Sequence, residues 1–238
     1  MLSTIKIDNI LFLDIETVPA CKSFDEVPEA LQKLWDKKSS HFREADQVAK
    51  DVYQRAGIYA EFGKIICISV GIINSKNATK LRLKSFYNED EKVLLNDFIN
   101  MLNKFYTRDD QFLCAHNGKE FDFPYISRRL LINGLQLPKI LDLAGKKPWE
   151  NRHLDTLELW KFGDYKNYTS LELLATIFNI PTPKDDIDGS MVCDIYWQNK
   201  ELERIVRYCE KDVVAIVQLF RRYRGEELIL DSDIEIVG

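Results

Sequence analysis

The stretch LFLDIETVP, residues 11–19, carries an apolar run of strand-forming residues directly into two acids, Asp14 and Glu16. Successive side chains on a strand point to opposite faces, so Asp14 and Glu16 share one face while Leu13 and Ile15 share the other. Two carboxylates held side by side on a buried strand repel each other and lose hydration unless a cation lies between them. The stretch therefore predicts a buried strand that carries a metal site.

Length and composition are typical of a globular chain with a substantial core. The 238 residues suffice for one large domain or two small ones, and no uninterrupted apolar run approaches the length of a membrane span. The amino terminus lacks the pattern of a secretion signal, so a cytoplasmic protein without a membrane partner is expected. The net charge of -5 gives no sign of a globally basic nucleic-acid binder.

The cysteine pattern excludes two further classes of protein. Five cysteines are scattered along the chain without a CxxC pair, which argues against a disulfide framework and against a structural zinc site. We expect them to be reduced and mostly buried. They are Cys21, Cys67, Cys114, Cys193 and Cys209.

Hydrophobic periodicity predicts a strand-rich first half and a helical second half. The expected strands cover residues 10–16, 63–73, 80–87 and 111–117, and the expected helices cover 88–105, 121–134, 152–162, 170–179, 189–199 and 201–225. The start of 152–162 also fits a short strand, and a loop is expected at 142–148. The predicted fold is an α/β fold, with an antiparallel three-strand start, a crossover to further strands, flanking helices and a helical C-terminal half.

The domain organisation follows from the same reading. Residues 1–225 are expected to form a single domain, and the polar, helical segment 20–60 is expected to be an insertion in it. Residues 226–238 are an acidic C-terminal segment, which fits either a flexible tail or a segment at a sheet edge.

Further acids lie on two later elements. The strand at 111–117 ends at His116 and Asn117, and Asp122 falls at the start of the next helix, where such sheets place their sites. Tyr208 and Asp212 are four residues apart on an amphipathic helix, so they lie on one face of it. An apolar stripe runs beside them, formed by Cys209, Val213, Ile216 and Phe220.

The four acids come from three separated segments. Carboxylate oxygens suit magnesium or manganese rather than zinc, and two such ions roughly 3.5–4 Å apart would serve phosphodiester hydrolysis, one activating water and the other stabilising the leaving oxygen. The acids are Asp14, Glu16, Asp122 and Asp212.

Three motifs carry a resemblance to a known group of enzymes. DIET (14–17), HNGKEFD (116–122) and YCEKD (208–212) resemble, in order and character, the motifs of the DEDD superfamily of 3′-5′ exonucleases, which has a ribonuclease H-like fold. The Tyr-x-x-x-Asp spacing is similar to that of its DEDDy branch. Within that branch, residues 8 to 222 look like stand-alone proteins similar to the proofreading exonuclease domain of family B DNA polymerases. The resemblance implies release of nucleoside monophosphates from a single-stranded 3′ end.

The resemblance also implies roles for individual residues. Asp14, Glu16 and Asp212 would hold one of two Mg²⁺ or Mn²⁺ ions. Asp14 would bridge to the second ion, which Asp122 would hold as well. Tyr208 would orient the attacking water, so the five residues together would form the catalytic set.

Contacts with the substrate are predicted for three neighbours of these acids. Thr17 and Asn117 are expected to contact nucleic acid, and Phe121 either stacks on a base or packs in the core. The predicted substrate is single-stranded DNA or a DNA 3′ end, with RNA as the alternative, because ribonuclease D-like exoribonucleases share the acids and the tyrosine. A binding module that has lost catalysis is the rival of another class. Protein partners are left open.

The remaining polar candidates have ordinary structural explanations as well. His116 is expected to be structural rather than a ligand, while His153 and Asp155 fit an orienting role, helix capping or a place on the surface. Several basic residues fit either contacts with phosphates or a solvated surface. They are Arg128, Arg129, Lys146, Lys147, Lys161, Lys166, Arg221, Arg222 and Arg224.

Overall fold

A six-stranded mixed sheet with helices on both faces forms the centre of the computed structural model, which describes residues 2–74, 77–164, 166, 168–181 and 187–237. The strands are β1 (Ile10–Pro19), β2 (Gly63–Asn74), β3 (Asn77–Tyr87), β4 (Phe112–Ala115), β5 (Leu154–Asp155) and β6 (Ile234–Ile236). Their order across the sheet is β5-β4-β1-β2-β3-β6. β1, β2 and β3 pair in antiparallel fashion, and β1–β4, β4–β5 and β3–β6 pair in parallel. The predicted α/β fold with an antiparallel start is confirmed.

Seven α-helices accompany the sheet in the described part of the chain. They are α1 (Glu29–Ser39), α2 (Glu91–Phe105), α3 (Asp122–Ile132), α4 (Thr156–Lys161), α5 (Leu171–Ile177), α6 (Val192–Asp194) and α7 (Leu202–Tyr223). A π-helical turn, Ile195–Asn199, continues α6. The predicted helix at 88–105 begins three residues late because Asp90 caps α2, its carboxylate accepting a hydrogen bond from the Lys92 amide.

The two faces of β1 pack into different cores. Leu13 and Ile15 lie in the larger core with α2 and α3, as alternation requires. Phe12 lies on the opposite face, where its ring meets that of Phe220 of α7 with centroids 5.4 Å apart. Asp14, two residues further along β1, lies on the same face as Phe12. α7 therefore packs over β1 at the point where the acids begin.

A buried ion pair joins the helices of the larger core. Glu91 of α2 accepts hydrogen bonds from the Ile65 amide at 2.7 Å and from Nε of Arg129 at 2.9 Å. Arg129 also donates to the carbonyl oxygen of Ala60. A buried guanidinium needs such a set of acceptors, so Arg129 is structural, and neither alternative given for it, contact with phosphates or a solvated surface, holds.

The segment 20–60 forms a small core of its own beside the end of β1. Trp35 is fully buried and its Nε1 donates to the carbonyl oxygen of Ala49 at 2.9 Å. Leu34, on the same helix, is 55% exposed, so not all of the apolar residues of α1 pack into this core. The hydroxyl of Tyr125 donates to the carbonyl oxygen of Gly57 at 2.7 Å, which fixes the segment to α3.

The acidic C-terminal segment ends in an edge strand. β6 pairs in parallel with residues 81–83 of β3, and Arg82 forms an ion pair with Glu235 at 3.1 Å. Of the two alternatives for this segment, residues 234–236 adopt the sheet-edge one. In the described ranges, every helix is too short or too polar to cross a bilayer.

Candidate active site

β1 presents Asp14 and Glu16 side by side toward α7. Glu16 is buried and Asp14 is half-buried, and their Cα partners on β2 are Cys67 and Ser69 respectively. The pairing register shifts between Glu16 and Thr17, which marks a β-bulge immediately after the second acid. The bulge interrupts the ladder locally, and pairing resumes from Thr17 to Pro19, so the two acids lie directly before the irregularity.

α7 packs against β1 at the two acids. The Cys209 thiol donates to the backbone carbonyl oxygen and to Oδ2 of Asp14, at 3.4 Å in each case. One ligand atom from each of Asp14, Glu16 and Cys209 lies within 4.8 Å of the others. The sequence assigned Cys209 only to an apolar stripe; its contact with Asp14 depends on how α7 packs on β1, which the helical spacing does not reveal.

Asp122 enters from the other side, as the first residue of α3. The chain between β4 and α3 turns sharply: Asn117 adopts a left-handed conformation with φ 63°. A Cβ atom on Gly118 would lie 2.4 Å from the Cβ of Ala115, so only glycine fits there. The turn returns Asp122 to β1, where its carboxylate accepts a hydrogen bond from the Ile15 amide.

The electrostatics show that the four acids share one site. Burial raises the pKa of Asp14 well above its ordinary value, and the carboxylates of Asp212, Glu16 and Asp122 raise it further. Burial likewise raises the pKa of Glu16, with Asp212 acting in the same direction. Burial raises the pKa of Asp122 to about 7, and the charges on Asp155 and Asp212 contribute. Buried carboxylates that raise one another's pKa values are suited to a bound cation.

Tyr208 belongs to the same cluster. Burial raises the pKa of its hydroxyl above the ordinary value, and the charges on Asp212, Glu16 and Asp14 add to this, as does a hydrogen bond with Asp212. A phenol with a raised pKa stays protonated at neutral pH, so it donates this bond. The structure thus brings together all five residues of the predicted catalytic set; the roles predicted for them stay predictions.

Asp155 is a polar residue whose part in the site the sequence did not resolve. It is buried, and its carboxylate accepts hydrogen bonds from the amides of Asn117 at 2.9 Å and Lys119 at 3.0 Å. It also accepts hydrogen bonds from the amides of Leu157 and Glu158, so it caps α4. Of the alternatives for Asp155, the structure shows helix capping, whereas a place on the surface does not fit this buried residue. One carboxylate joins the turn before Asp122 to the start of α4.

The three predicted substrate contacts lie around this cluster. Thr17 is half-buried and hydrogen-bonds to the hydroxyl of Tyr125. Asn117 is half-buried and lines a groove beside the site. Phe121 packs on the larger core, with its ring centroid 5.3 Å from that of Tyr125, yet remains partly exposed. Contact with nucleic acid stays a prediction for all three.

Both histidines near the site are structural. Nε2 of His116 donates to the carbonyl oxygen of Thr169 at 2.9 Å, and its Nδ1 bonds Thr156. Nε2 of His153 donates to the carbonyl oxygen of Ile140 at 2.8 Å, while Nδ1 accepts from the Leu113 amide. Burial lowers the pKa of both rings, that of His153 to about 4, so both are neutral at pH 7.

Comparison with known proteins identifies the family. A family described as "Predicted 3'-5' exonuclease related to the exonuclease domain of PolB" matches residues 58–234. The chain belongs to this exonuclease family. The matched range contains Asp122, Tyr208 and Asp212, whereas Asp14 and Glu16 precede it. Membership makes the chain a predicted 3′-5′ exonuclease, a hydrolase whose substrate class is nucleic acid.

The individual proteins similar to this chain are DNA polymerases. DNA polymerase 1 of Pyrococcus abyssi is 23% identical over 185 residues, covering 68% of this chain and 23% of the polymerase. The DNA polymerase of Pyrococcus glycovorans is 21% identical over 146 residues, covering 56% of this chain and 18% of the polymerase. The structure of the family B DNA polymerase from Pyrobaculum calidifontis matches 90% of this chain and 24% of that one, with a TM-score of 0.54 and 16% identity.

The chain matches only part of each of these polymerases. The chain spans about a quarter of the length of these polymerases. The structural match shows that the fold is shared with part of a family B polymerase. Activities of the whole polymerases are therefore not attributed to this member of the exonuclease family.

Proposed function

We propose that the chain is a metal-dependent 3′-5′ exonuclease that releases nucleoside monophosphates from the 3′ end of single-stranded DNA. The observation that carries this proposal is the convergence of four acids from three elements, which raise one another's pKa values in a buried site. Such a site is unfavourable without bound cations, and carboxylate oxygens suit Mg²⁺ or Mn²⁺. The donor set therefore fits the two ions that the sequence resemblance implies.

The acids divide between two ion positions in this proposal. Asp14, Glu16 and Asp212 would hold one ion, and Asp14 and Asp122 would hold the other. When bound, the two ions would activate water and neutralise charge on the leaving oxygen of the phosphodiester. The Cys209 thiol, by donating to Asp14, fixes the rotamer of the carboxylate that both positions share.

Tyr208 positions the attacking water. Its proton is directed to Asp212, which leaves the lone pairs of the phenol oxygen free to accept a hydrogen bond from water. Because its pKa is raised, Tyr208 does not act as a base; it holds the water in line with the phosphorus. Thr17, Asn117 and Phe121 are proposed to contact the terminal nucleotides.

The proposal extends to organisation and location. Residues 1–225 act as one exonuclease domain with an insertion at 20–60, followed by the acidic segment 226–238. The described structure contains five free cysteines, which is consistent with a reducing compartment such as the cytoplasm.

Degradation of end-labelled oligonucleotides tests the proposed function. Single-stranded DNA and RNA, labelled at the 5′ or the 3′ end, are incubated with Mg²⁺, Mn²⁺ or EDTA. We expect stepwise shortening of 5′-labelled DNA with either metal, immediate release of the 3′ label as a mononucleotide, and no reaction in EDTA. Faster degradation of RNA would assign an exoribonuclease of ribonuclease D type. Binding without release of mononucleotides would indicate an inactive module.

A further inference from the structure

A groove of about 790 Å³ opens beside the acid cluster, between α3, α4 and the 137–148 loop. Asn117 and Asp155 line its near end. The Asp155 carboxylate accepts hydrogen bonds from the amides of Asn117 and Lys119, in the turn that leads to Asp122, and Pro124, two residues after Asp122 on α3, also lines the groove. The groove therefore begins at the proposed active site. Its far end reaches Leu131 of α3 and Pro148.

The floor of this groove is apolar. Leu131 is 61% exposed although it lies on a helix that packs against the core. Leu137 and Leu143 are half-buried and also line the groove. Apolar side chains left accessible in a concave surface favour a ligand with flat, weakly polar faces, and nucleic-acid bases have such faces.

The rim of the groove carries an excess of positive charge, in contrast to the net charge of -5 of the whole chain. Five basic and three acidic side chains line it. Lys119 is paired with Glu158, but Arg128, Lys146 and Lys147 are exposed and form no ion pair with another described residue. Lys147 also lies over the exposed ring of Trp149, with Nζ 5.2 Å from the ring centroid. That contact does not neutralise its charge, so all three cations can pair with phosphate groups.

Other basic residues that the sequence singled out are occupied. Arg221 donates to the carbonyl oxygen of Glu227 and pairs with Glu226 at 3.2 Å. Arg224 also pairs with Glu226. Counting the buried Arg129, three of the other basic residues that the sequence singled out are therefore engaged in contacts within the chain.

We propose that this groove binds the single strand upstream of the 3′-terminal nucleotides, with bases on the apolar floor and phosphates at Arg128, Lys146 and Lys147. The proposal rests on the exonuclease function proposed above. It makes turnover depend on substrate length, because a dinucleotide contains one phosphodiester, which is the bond that is cleaved. A longer strand places further phosphates and bases in the groove.

Two groove variants and a matched control test this dependence. The double variant Lys146→Ser with Lys147→Ser removes charge, and Leu131→Gln removes the exposed part of the apolar floor. The control, Lys92→Ser with Lys104→Ser, removes two exposed charges of α2 outside the groove. Kinetics are measured on single strands of 2 and 12 nucleotides, as DNA and as RNA, and binding of the 12-mer is measured against salt concentration with Ca²⁺.

The lysine variant and the Leu131 variant should differ in their effect on the salt dependence of binding. For the lysine variant we expect KM for the 12-mer to rise about 3- to 10-fold with kcat unchanged, and the salt slope to fall by about 1.4, since each single-strand phosphate contact contributes about 0.7. Leu131→Gln should raise KM for the 12-mer by about threefold without changing the salt slope. The control should match the parent.

The outcomes distinguish the two proposals. Cleavage of the 12-mer with equal KM in the lysine variant, the control and the parent would overturn the groove proposal and leave the exonuclease proposal standing. Lysine-dependent binding of the 12-mer without release of mononucleotides would overturn the exonuclease proposal and support the groove as a single-strand binding surface. An equal rise in KM for the 2-mer and the 12-mer would also contradict the groove proposal.

Discussion

The single proton of the Cys209 thiol is shared between two oxygens of Asp14, Oδ2 and the carbonyl oxygen, each 3.4 Å from Sγ. This contact joins α7 to β1 at the point where the acids converge. The thiol partly offsets the effect of burial, because its hydrogen bond lowers the pKa of Asp14. The two residues are 195 positions apart in the chain. Their contact therefore depends on how α7 is positioned along β1.

Replacing Cys209 by alanine should weaken metal binding without abolishing it. The variant loses the donor that favours the ionised form of Asp14, so we expect the half-saturating Mn²⁺ concentration to rise about 2- to 10-fold, matching a hydrogen bond of about 0.5–1.5 kcal/mol. Calorimetric titration with Mn²⁺ measures this. Cys114→Ala, which removes another buried thiol, controls for packing; an equal effect in both variants would assign the change to the loss of core volume.

Replacing Asp14 by alanine should abolish cleavage while the fold persists. Asp14 is the acid proposed to serve both ions, and removing it relieves repulsion from Asp212, Glu16 and Asp122. We therefore expect turnover near background, with an unfolding free energy in EDTA equal to or above that of the parent. Urea unfolding and mononucleotide release measure the two effects. Asp97→Ala, at an exposed acid of α2, should leave both unchanged.

The raised pKa of Asp122 predicts how the stability of the metal-free protein depends on pH. Its pKa of about 7 in the folded state exceeds the ordinary value of 3.8, so the folded state holds a proton in this window that the unfolded state has lost. Stability should therefore fall as pH rises from 5 to 8 in EDTA. Asp14 and Glu16 shift in the same direction.

The variant Asp122→Asn isolates this contribution. It carries no charge at position 122, so the difference in Tm between pH 5 and pH 8 should be smaller than in the parent, and Mn²⁺ at pH 8 should raise its Tm by less. Thermal unfolding with and without metal measures both. A Tm difference equal to that of the parent would mean that Asp122 is ionised throughout this range in the folded protein.

Much of the fold could be predicted from local pattern. Alternation along β1 correctly placed Phe12, Asp14 and Glu16 on one face, and helical spacing found α7. The prediction ended β1 at residue 16, but the strand continues to Pro19 because a bulge lets it pair on with β2. A short strand near residue 152 and a sheet-edge segment after residue 226 were among the open alternatives, and the structure has both, as β5 and β6. With two and three residues, these strands are too short for alternation to decide, and they exist through pairing with β4 and β3.

The sequence predicts the site residues whose type and spacing have a chemical meaning. It misses the residues whose part in the site depends on how the helices pack on the sheet. Four carboxylates and a tyrosine are conspicuous in sequence because their spacing has a chemical meaning. Cys209 and Asp155 have no such spacing. In the sequence, a cysteine among apolar neighbours has the pattern of a core residue, and an acid directly before a helix has the pattern of a helix cap. Their contacts with Asp14 and Asn117 arise only once α7 and α4 are placed against the sheet.

Replacing Asp155 by alanine should destabilise the protein and disturb the turn that positions Asp122. Four backbone amides lose their acceptor, so we expect a loss of about 2–4 kcal/mol in the unfolding free energy. Ser170→Ala, which removes the single cap bond of α5, should cost only about 1 kcal/mol. Urea unfolding compares them; equal losses would reduce Asp155 to an ordinary cap.

The sharpest prediction separates Tyr208 from Asp212, which α7 presents together. Asp212 is proposed to hold a metal ion, so Asp212→Ala should weaken Mn²⁺ binding and reduce turnover to near background. Tyr208→Phe keeps the ring packed and deletes only the hydroxyl. We expect a loss of kcat of about 10- to 10³-fold, within or below the 10²- to 10⁴-fold typical of positioned acid-base groups, with Mn²⁺ affinity nearly unchanged.

Titrating Mn²⁺ into both variants while following mononucleotide release measures the difference. If Tyr208 only positions water, saturating Mn²⁺ restores no activity to Tyr208→Phe. The residual rate should then have the same pH profile as the parent's rate, because a phenol with a raised pKa does not titrate near neutrality. Parental activity in Tyr208→Phe would reduce Tyr208 to a packing residue at the edge of the core. Recovery of Tyr208→Phe at high Mn²⁺ would instead show that its hydrogen bond to Asp212 supports metal binding.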